Sequence, residues 1–167
     1  MPPKQRRYPI KTKDVKQLLE EAQCRLGFNF EGVFDVKAGV EVIESDVALI
    51  YIISGKPVLY KLNGRVLPTL LFSEFAAVAP KIVVDMGAVP YVCKGATVMA
   101  PGIVRVEGEF VAGAIVLVTD VKYGKVLAVG ESLVDADFAR QAKKGPVVKV
   151  LHYVGDRVWD CIKLLSE

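Results

Sequence analysis

A plain segment with regularly spaced glycines and prolines, VVDMGAVPYVCKGATVMAPGIV at residues 83–104, constrains the fold of this chain more than any other feature. It contains one acidic residue, one lysine and no histidine, serine or arginine. Its glycines and prolines are Gly87, Pro90, Gly95, Pro101 and Gly102. Because glycine adopts positive φ angles and proline fixes φ, this spacing predicts short elements joined by tight turns. The pattern suits a binding surface or a sharply turning fold, and offers no acid–base chemistry.

The sequence from Lys81 onward predicts a small mixed β-barrel with two short helices. Short β-branched runs separated by glycines predict the strands: KIVVD, TVMAPGIVRVEG, GAIVLVTDVKYGKVLAVGESLV, PVVKVLHYVG and DRVWDCIKLL. GAVPYVCKG predicts a short helix or turn closed by Gly95, and VDADFARQAKKG at 134–145 predicts the second helix. In that second helix we expect Asp135 as the N-cap, Phe138 on the buried face, and Lys143, Lys144 and Gly145 as the C-terminal cap.

The first 80 residues predict a separate α+β domain, so the expected domains are 1–80 and 81–167. Apolar residues at helical spacing in KDVKQLLEEAQCRL, residues 13–26, predict an amphipathic helix that ends at Gly27. Strand-like runs follow over residues 40–71, and the Asn63-Gly64 pair between two of them is typical of a β-hairpin. LPTLLFSEFAAVAP at 67–80 predicts a short helix that ends at Pro80.

Charge is unevenly distributed along the 167 residues, whose formal net charge is +3. Residues 1–16 contain six Lys or Arg and one Asp, whereas residues 81–167 contain eleven basic and ten acidic residues. A basic terminus suits a polyanion such as nucleic acid, but also suits a simple solvated end. The near-neutral C-terminal part argues against a strongly electrostatic nucleic-acid binder.

Several functional classes are disfavoured by what the sequence lacks. It contains no P-loop, no GxGxxG after a strand and no HExxH motif, so we expect no catalytic residues and no cofactor. Cys24, Cys93 and Cys161 form no CxxC pair and His152 is the only histidine, which disfavours a disulfide framework or a metal site. No apolar run approaches the roughly 20 residues of a membrane span. The basic N-terminus lacks a signal peptide's apolar region, so a soluble, cytoplasmic protein is expected.

The signature VDMGAVPYVCKGATVMAPGIV resembles that of the PUA domain, an RNA-binding pseudobarrel, and VGESLVDADFARQAKKG and VLHYVGDRVW resemble that family's closing helix and last two strands. LPTLL and LHYVGDRVW further resemble the malignant T-cell-amplified sequence family, which joins a pre-PUA domain to a PUA domain. The resemblance implies an α+β N-terminal domain followed by a mixed β-pseudobarrel, in an archaeal relative. It also implies a role in translation, in initiation at the small ribosomal subunit or in recycling of tRNA.

The expected partners are RNA (tRNA or rRNA) and either the small ribosomal subunit or an initiation factor, with no membrane. Small residues with accessible backbone groups suit an RNA chain or an unstacked base. The candidate RNA-binding residues are Lys94, Gly95, Ala96, Pro101, Gly102, Arg105, Lys143, Lys144, Lys149 and His152. Auxiliary phosphate contacts are expected from Lys4, Arg6, Arg7, Lys11, Lys13 and Lys16.

Each of these residues also has a structural interpretation. Gly87 and Gly102 can serve the fold, Asp85 is expected to cap a turn, and His152 and Trp159 are expected mainly in the core. Tyr153 should lie on the opposite face of its strand from His152. Two further functions stay open: a protein–protein adaptor with a PUA-type fold, and an RNA-recognition subunit that serves a separate RNA-modifying enzyme.

Overall fold

A computed structural model describes residues 5–35, 37 and 39–165 of the chain. These residues group into two compact units: the chain up to Phe75 with the segment from Asp160 onward, and Ala76–Trp159. No helix in the described ranges is long and apolar enough to cross a membrane. Within the same ranges, His, Cys, Asp and Glu residues form no group of three that could hold a metal ion.

The first unit is built on a five-stranded antiparallel sheet with strand order β1-β2-β3-β4-β5. The strands are β1 Arg6–Pro9, β2 Val40–Glu44, β3 Leu49–Ile53, β4 Lys56–Leu62 and β5 Arg65–Pro68. Helix α1, Thr12–Leu26, buries Val15, Leu18 and Ala22, and Gly27 ends it in the left-handed conformation at φ 64°. The predicted helix and its C-terminal glycine are therefore confirmed.

Asn63 and Gly64 form the predicted hairpin turn between β4 and β5, with φ of 53° and 77°. Positive φ at both positions is the geometry that matches the right-handed twist of paired strands. The helix predicted over 67–80 is mostly wrong, because Leu67 and Pro68 belong to β5 and only α2, Ser73–Ala76, is helical. The Thr69 hydroxyl donates to the Pro57 carbonyl at 2.7 Å and extends the pairing beyond the strand.

The second unit contains a six-stranded mixed sheet with strand order β7-β11-β10-β9-β6-β8. Its strands are β6 Lys81–Val84, β7 Val98–Met99, β8 Ile103–Glu107, β9 Ile115–Asp120, β10 Val126–Ser132 and β11 Pro146–Tyr153. Strands β6 and β9 are parallel, and the other pairs are antiparallel. The edge strands β7 and β8 are joined only by a 3₁₀ turn, Ala100–Gly102, so the sheet must curl to bring its edges together. This confirms the predicted mixed pseudobarrel.

Two short helices, α3 Val89–Val92 and α4 Ala136–Gln141, accompany this sheet. Helix α4 is shorter than predicted and buries Ala136 and Ala139, while Phe138 is 60% exposed, so its expected burial is wrong. Asp135 occupies the predicted N-cap position of α4, but its carboxylate accepts the N–H of Ala112 at 2.8 Å and forms no side-chain cap bond with the helix.

The predicted ends of two elements near the C-terminus also differ from the structure. Helix α4 ends at Gln141 and its C-cap Ala142 is already extended, so the residues from Lys143 to Gly145 do not cap it. The segment DRVWDCIKLL is helix α5, Arg157–Leu165, and the predicted closing strand is wrong. An Asp156 carboxylate oxygen accepts the N–H of Trp159 at 2.7 Å, which is a helix N-cap bond. Trp159 is half-buried on this helix.

Candidate nucleic-acid interface

The turn after α3 orders the chain from Lys94 to Ala96 through backbone hydrogen bonds. The Gly95 N–H donates to the Val92 carbonyl at 3.0 Å, and the Ala96 N–H donates to the Tyr91 carbonyl at 3.1 Å. This pair of bonds is the Schellman arrangement, which requires a left-handed residue. Gly95 supplies it with φ 85°. A side chain on Gly95 would also lie 2.9 Å from Cε1 of the Tyr153 ring.

A second turn, between β6 and α3, is fixed by Asp85. Its carboxylate accepts the Ala88 N–H at 2.9 Å, which confirms the expected role as a turn cap. The Asp85 N–H donates to the Gly102 carbonyl at 2.9 Å, so the 3₁₀ turn is tied to the end of β6. A Cβ on Gly102 would meet the Ala88 Cβ at 3.3 Å. Gly102 therefore has a packing role, as the fold-only interpretation expected.

These turns enclose a cleft of about 290 Å³ whose exposed lining is almost wholly apolar. It brings the predicted residues Ala96 and Gly102 together. It is lined by Ala88, Tyr91, Val92, Ala96, Thr97, Val98, Met99 and Gly102. Pocket-sized clefts with exposed rings are common small-ligand sites.

Two large side chains of this cleft were not among the predicted site residues. Tyr91 is 66% exposed and Met99 is 47% exposed. In the sequence both stand in an apolar stretch, where such residues usually enter a core. The sequence signal for their exposure was Pro90, which is typical of the first turn of a short helix. A helix of four residues can bury only one narrow face, and in α3 that face is Val92, so Tyr91 stays exposed.

Several predicted lysines are exposed in segments next to the cleft. Lys94 directly precedes Gly95 in the turn that follows α3. Lys143 and Lys144 precede Gly145, whose carbonyl accepts the Ala100 N–H at 2.9 Å. This bond holds the Lys143–Gly145 segment beside the end of β7, which carries Met99. Two segments that are distant in sequence, 94–100 and 143–145, therefore meet beside the cleft.

Arg105 and Lys149 lie on strands and face carboxylates. Arg105 Nε forms a 2.9 Å ion pair with Glu107 along β8. Lys149 on β11 is the register partner of Glu131 on β10. Pro101, at the first turn of the 3₁₀ segment, is exposed. An exposed ion pair such as Arg105–Glu107 contributes roughly 0–1 kcal/mol, so an incoming phosphate can replace Glu107 at little cost.

His152 is 0% exposed, and its Nδ1 lies 2.8 Å from an Asp156 carboxylate oxygen. Burial opposes ionisation of Asp156, but the His152 hydrogen bond and charge, with the N–H groups of Trp159 and Tyr153, lower the Asp156 pKa below its usual value. Because the imidazole does not reach the surface, His152 is not available for the predicted RNA contact. This placement matches its expected structural role.

The auxiliary basic residues belong to the first unit. Lys4 lies outside the described residues. Arg6 and Arg7 on β1 pair with Glu44 and Glu41 of β2. Lys11, Lys13 and Lys16 are exposed at the beginning of α1. Arg6 and Arg7 therefore present less net charge than the sequence suggested.

Known families match both parts of the chain. The PUA domain matches residues 80–154, and a domain of unknown function, DUF1947, matches residues 6–73. An uncharacterized protein of Methanocaldococcus jannaschii is 33% identical over 93% of this chain and 96% of its own length. The crystal structure of a PUA domain from Aeropyrum pernix K1, a tartrate complex, covers 99% of this chain and 95% of its own with 25% identity and a TM-score of 0.82.

Two eukaryotic relatives carry more informative names. Translation machinery-associated protein 20 of Saccharomyces cerevisiae is 26% identical over 74% of this chain and 73% of its own length. Malignant T-cell-amplified sequence 1-B of Xenopus laevis is 32% identical over 58% of this chain and 56% of its own length. The resemblance drawn from the sequence motifs is therefore confirmed.

Proposed function

The chain belongs to the family that joins DUF1947 to a PUA domain, and from this premise we propose that it is a non-catalytic RNA-binding protein of the translation apparatus. The PUA domain is an RNA-binding module, and one relative is named for its association with the translation machinery. More finely, we propose that the PUA unit holds a tRNA acceptor end or an rRNA segment. The protein would act at the small ribosomal subunit in initiation or recycling, in the cytoplasm.

The observation that carries this proposal is the apolar cleft between α3 and the 3₁₀ turn. Its volume, about 290 Å³, is at the small end of the range for ligand pockets, which suits one base better than a longer chain. The exposed Tyr91 ring offers a stacking surface, and the thioether of Met99 adds an adaptable apolar contact. RNA recognition commonly uses unpaired ends whose bases can be splayed out in this way.

The lysines beside the cleft supply the second part of the recognition. Lys94, Lys143 and Lys144 are exposed around it and would meet the phosphates on either side of a bound nucleotide. Such contacts position RNA without reading its sequence and make affinity fall with salt. The cleft would therefore determine which part of the RNA binds, and the lysines would provide much of the affinity.

The test is binding of purified protein to intact tRNA and to tRNA that lacks its 3′ end, over a series of salt concentrations. We expect Tyr91→Ala to weaken binding to intact tRNA by about 1–3 kcal/mol, the usual contribution of one stacked base. Lys94→Glu with Lys149→Glu should weaken binding further and flatten its salt dependence. Phe138→Ala is the matched control, because it removes a similarly exposed ring from α4.

The comparison of variants separates the possible explanations. Equal binding of both tRNA forms, with loss in the Tyr91 variant, would favour an internal rRNA or tRNA segment over the acceptor end. Absence of binding to tRNA and rRNA even at low salt would refute the proposal and favour the protein–protein adaptor. A loss of binding in Phe138→Ala equal to that in Tyr91→Ala would remove the cleft from the interface.

A further inference from the structure

The turn between β9 and β10, residues 121–125 with the sequence VKYGK, is a second basic and aromatic surface of the PUA unit. Tyr123 at its tip is 71% exposed, and Lys122 and Lys125 are exposed on either side. The Lys122 Nζ lies 5.1 Å from the centre of the Tyr123 ring, over one face of it. The turn itself contains no acidic residue. Proteins that bind single-stranded nucleic acid combine aromatic side chains, on which bases stack, with cationic side chains that meet the phosphates, and this turn contains both.

The conformation of this turn is fixed by a buried carboxylate. Asp120, at the end of β9, is 3% exposed, and its oxygens accept the N–H groups of Tyr123 and, at 3.0 Å, Lys125. The Tyr123 N–H contributes most to lowering the pKa of Asp120; burial opposes this, and the Lys125 N–H acts in the same direction as Tyr123, so the ionised carboxylate that accepts these bonds is favoured. The Gly124 N–H also donates to the Asp120 carbonyl at 3.1 Å. A turn ordered in this way loses little conformational entropy when it binds a ligand.

The turn emerges at the same end of the sheet as the α3 cleft. Strands β6 and β9 are parallel, with Val84 beside Asp120, so the segments that follow them leave the sheet at one end. The Val121 N–H donates to the Val84 carbonyl at 3.0 Å, and Val84 is followed directly by Asp85, whose carboxylate holds Ala88 at the cleft.

The Lys125 ammonium also acts on the pKa of a thiol at the end of α3. Burial raises the pKa of the Cys93 thiol at the end of α3, while the Lys125 ammonium acts in the opposite direction. Cys93 directly follows Val92, a residue that lines the cleft.

We propose that the turn of Lys122, Tyr123 and Lys125 is a second contact for single-stranded RNA, which grips the strand leading to the nucleotide held in the α3 cleft. One base would stack on the Tyr123 face opposite Lys122, and the two ammonium groups would meet adjacent phosphates. The inference rests on the proposed RNA-binding function and assigns it a longer single-stranded footprint than the cleft alone could accommodate.

The test compares two labelled RNA hairpins, one with a single unpaired 3′ nucleotide and one with a longer unpaired 3′ tail. Wild-type protein should bind the long-tailed RNA more tightly. Tyr123→Ala should weaken that binding about five-fold or more, as expected for one stacked base, and leave binding of the short-tailed RNA unchanged. Lys122→Gln with Lys125→Gln should lower the salt slope for the long-tailed RNA by roughly 0.7 for each lost phosphate contact.

Two control variants sharpen the interpretation. Tyr123→Phe keeps the ring and should retain the affinity for the long tail, and Phe138→Ala should leave both RNAs unaffected. Unchanged binding of the long-tailed RNA by Tyr123→Ala, or an equal loss on both RNAs, overturns the inference and leaves RNA binding by the cleft intact. Failure of the wild-type protein to bind either RNA overturns the proposed function itself, and the inference with it.

Discussion

Replacing Gly95 by alanine tests the link between backbone geometry and the α3 turn directly. Gly95 has φ 85°, and an added Cβ would lie 2.9 Å from Cε1 of the Tyr153 ring. A left-handed conformation costs an L-residue roughly 1–2 kcal/mol. Overpacking against a partly buried ring adds about 1–3 kcal/mol. We therefore expect Gly95→Ala to lower the free energy of unfolding by about 2–5 kcal/mol.

Gly145→Ala is the matched control, because Gly145 has φ 94° and nothing lies within 4 Å of its added Cβ. It should cost only the backbone contribution, about 1–2 kcal/mol. The two costs are measured as shifts of the urea-unfolding midpoint by circular dichroism, with the denaturant slopes compared to confirm that the same transition is followed. The difference between the two variants isolates the overlap with Tyr153.

A double-mutant cycle identifies the ring as the cause. In a Tyr153→Ala background the overlap is gone, so Gly95→Ala should cost about as much as Gly145→Ala does in the wild type, and the coupling should be about 1 kcal/mol or more. If Gly95→Ala costs no more than Gly145→Ala, or costs the same with and without the Tyr153 ring, the argument from close approach is refuted.

Two other changes probe the same unit. Asp156→Asn should destabilise the protein by about 1–3 kcal/mol at neutral pH, because buried His152 loses its carboxylate partner. Since the folded-state pKa of Asp156 is lowered, its stabilisation is present above the unfolded value of about 3.9 and is lost as pH falls through the lower folded value. As the pH is lowered, the urea-unfolding midpoint should therefore fall less steeply for Asp156→Asn than for the wild type. Midpoints of the two proteins that fall in parallel with pH would contradict this reasoning. Gly130→Ala should lower the free energy of unfolding by about 3 kcal/mol, because its Cβ would lie 2.3 Å from Val148 Cγ1 and 3.0 Å from the Lys149 carbonyl oxygen. A urea midpoint equal to that of the wild type would show that β10 and β11 can separate to accept the added methyl group.

The parts of the fold that could be predicted from the sequence are those decided within a few residues. Asn63-Gly64 specifies its hairpin turn through two positive φ angles, and Gly27 and Gly95 end their helices for the same reason. Helix α5 was missed because a short apolar run fits a strand as well as a helix. Its helical signal was present in the buried residues Val158, Cys161 and Ile162, spaced three and one apart.

The candidate site was harder to predict because exposure depends on distant parts of the chain. Small residues such as Ala96 and Gly102 were identified from their motif, and the structure brings both to one cleft. Tyr91 and Tyr123 stand in apolar or mixed stretches, and only the tertiary arrangement shows that their rings face solvent. Phe138 was assigned to the core on the basis of size, but the short helix α4 buries its alanines instead.

The basic and acidic residues of 81–167 nearly balance in number, but these numbers do not describe where their charges lie on the surface. Four aspartates use their carboxylates to accept backbone N–H groups in turns and caps: Asp85, Asp120, Asp135 and Asp156. Arg105 and Arg140 form exposed ion pairs with neighbouring carboxylates. By contrast, six exposed lysines of the PUA unit form no ion pair with any described residue: Lys94, Lys122, Lys125, Lys143, Lys144 and Lys149. Because local potential, not net charge, guides a polyanion to a surface, the positions of these lysines matter more for RNA binding than the near-neutral total of the sequence.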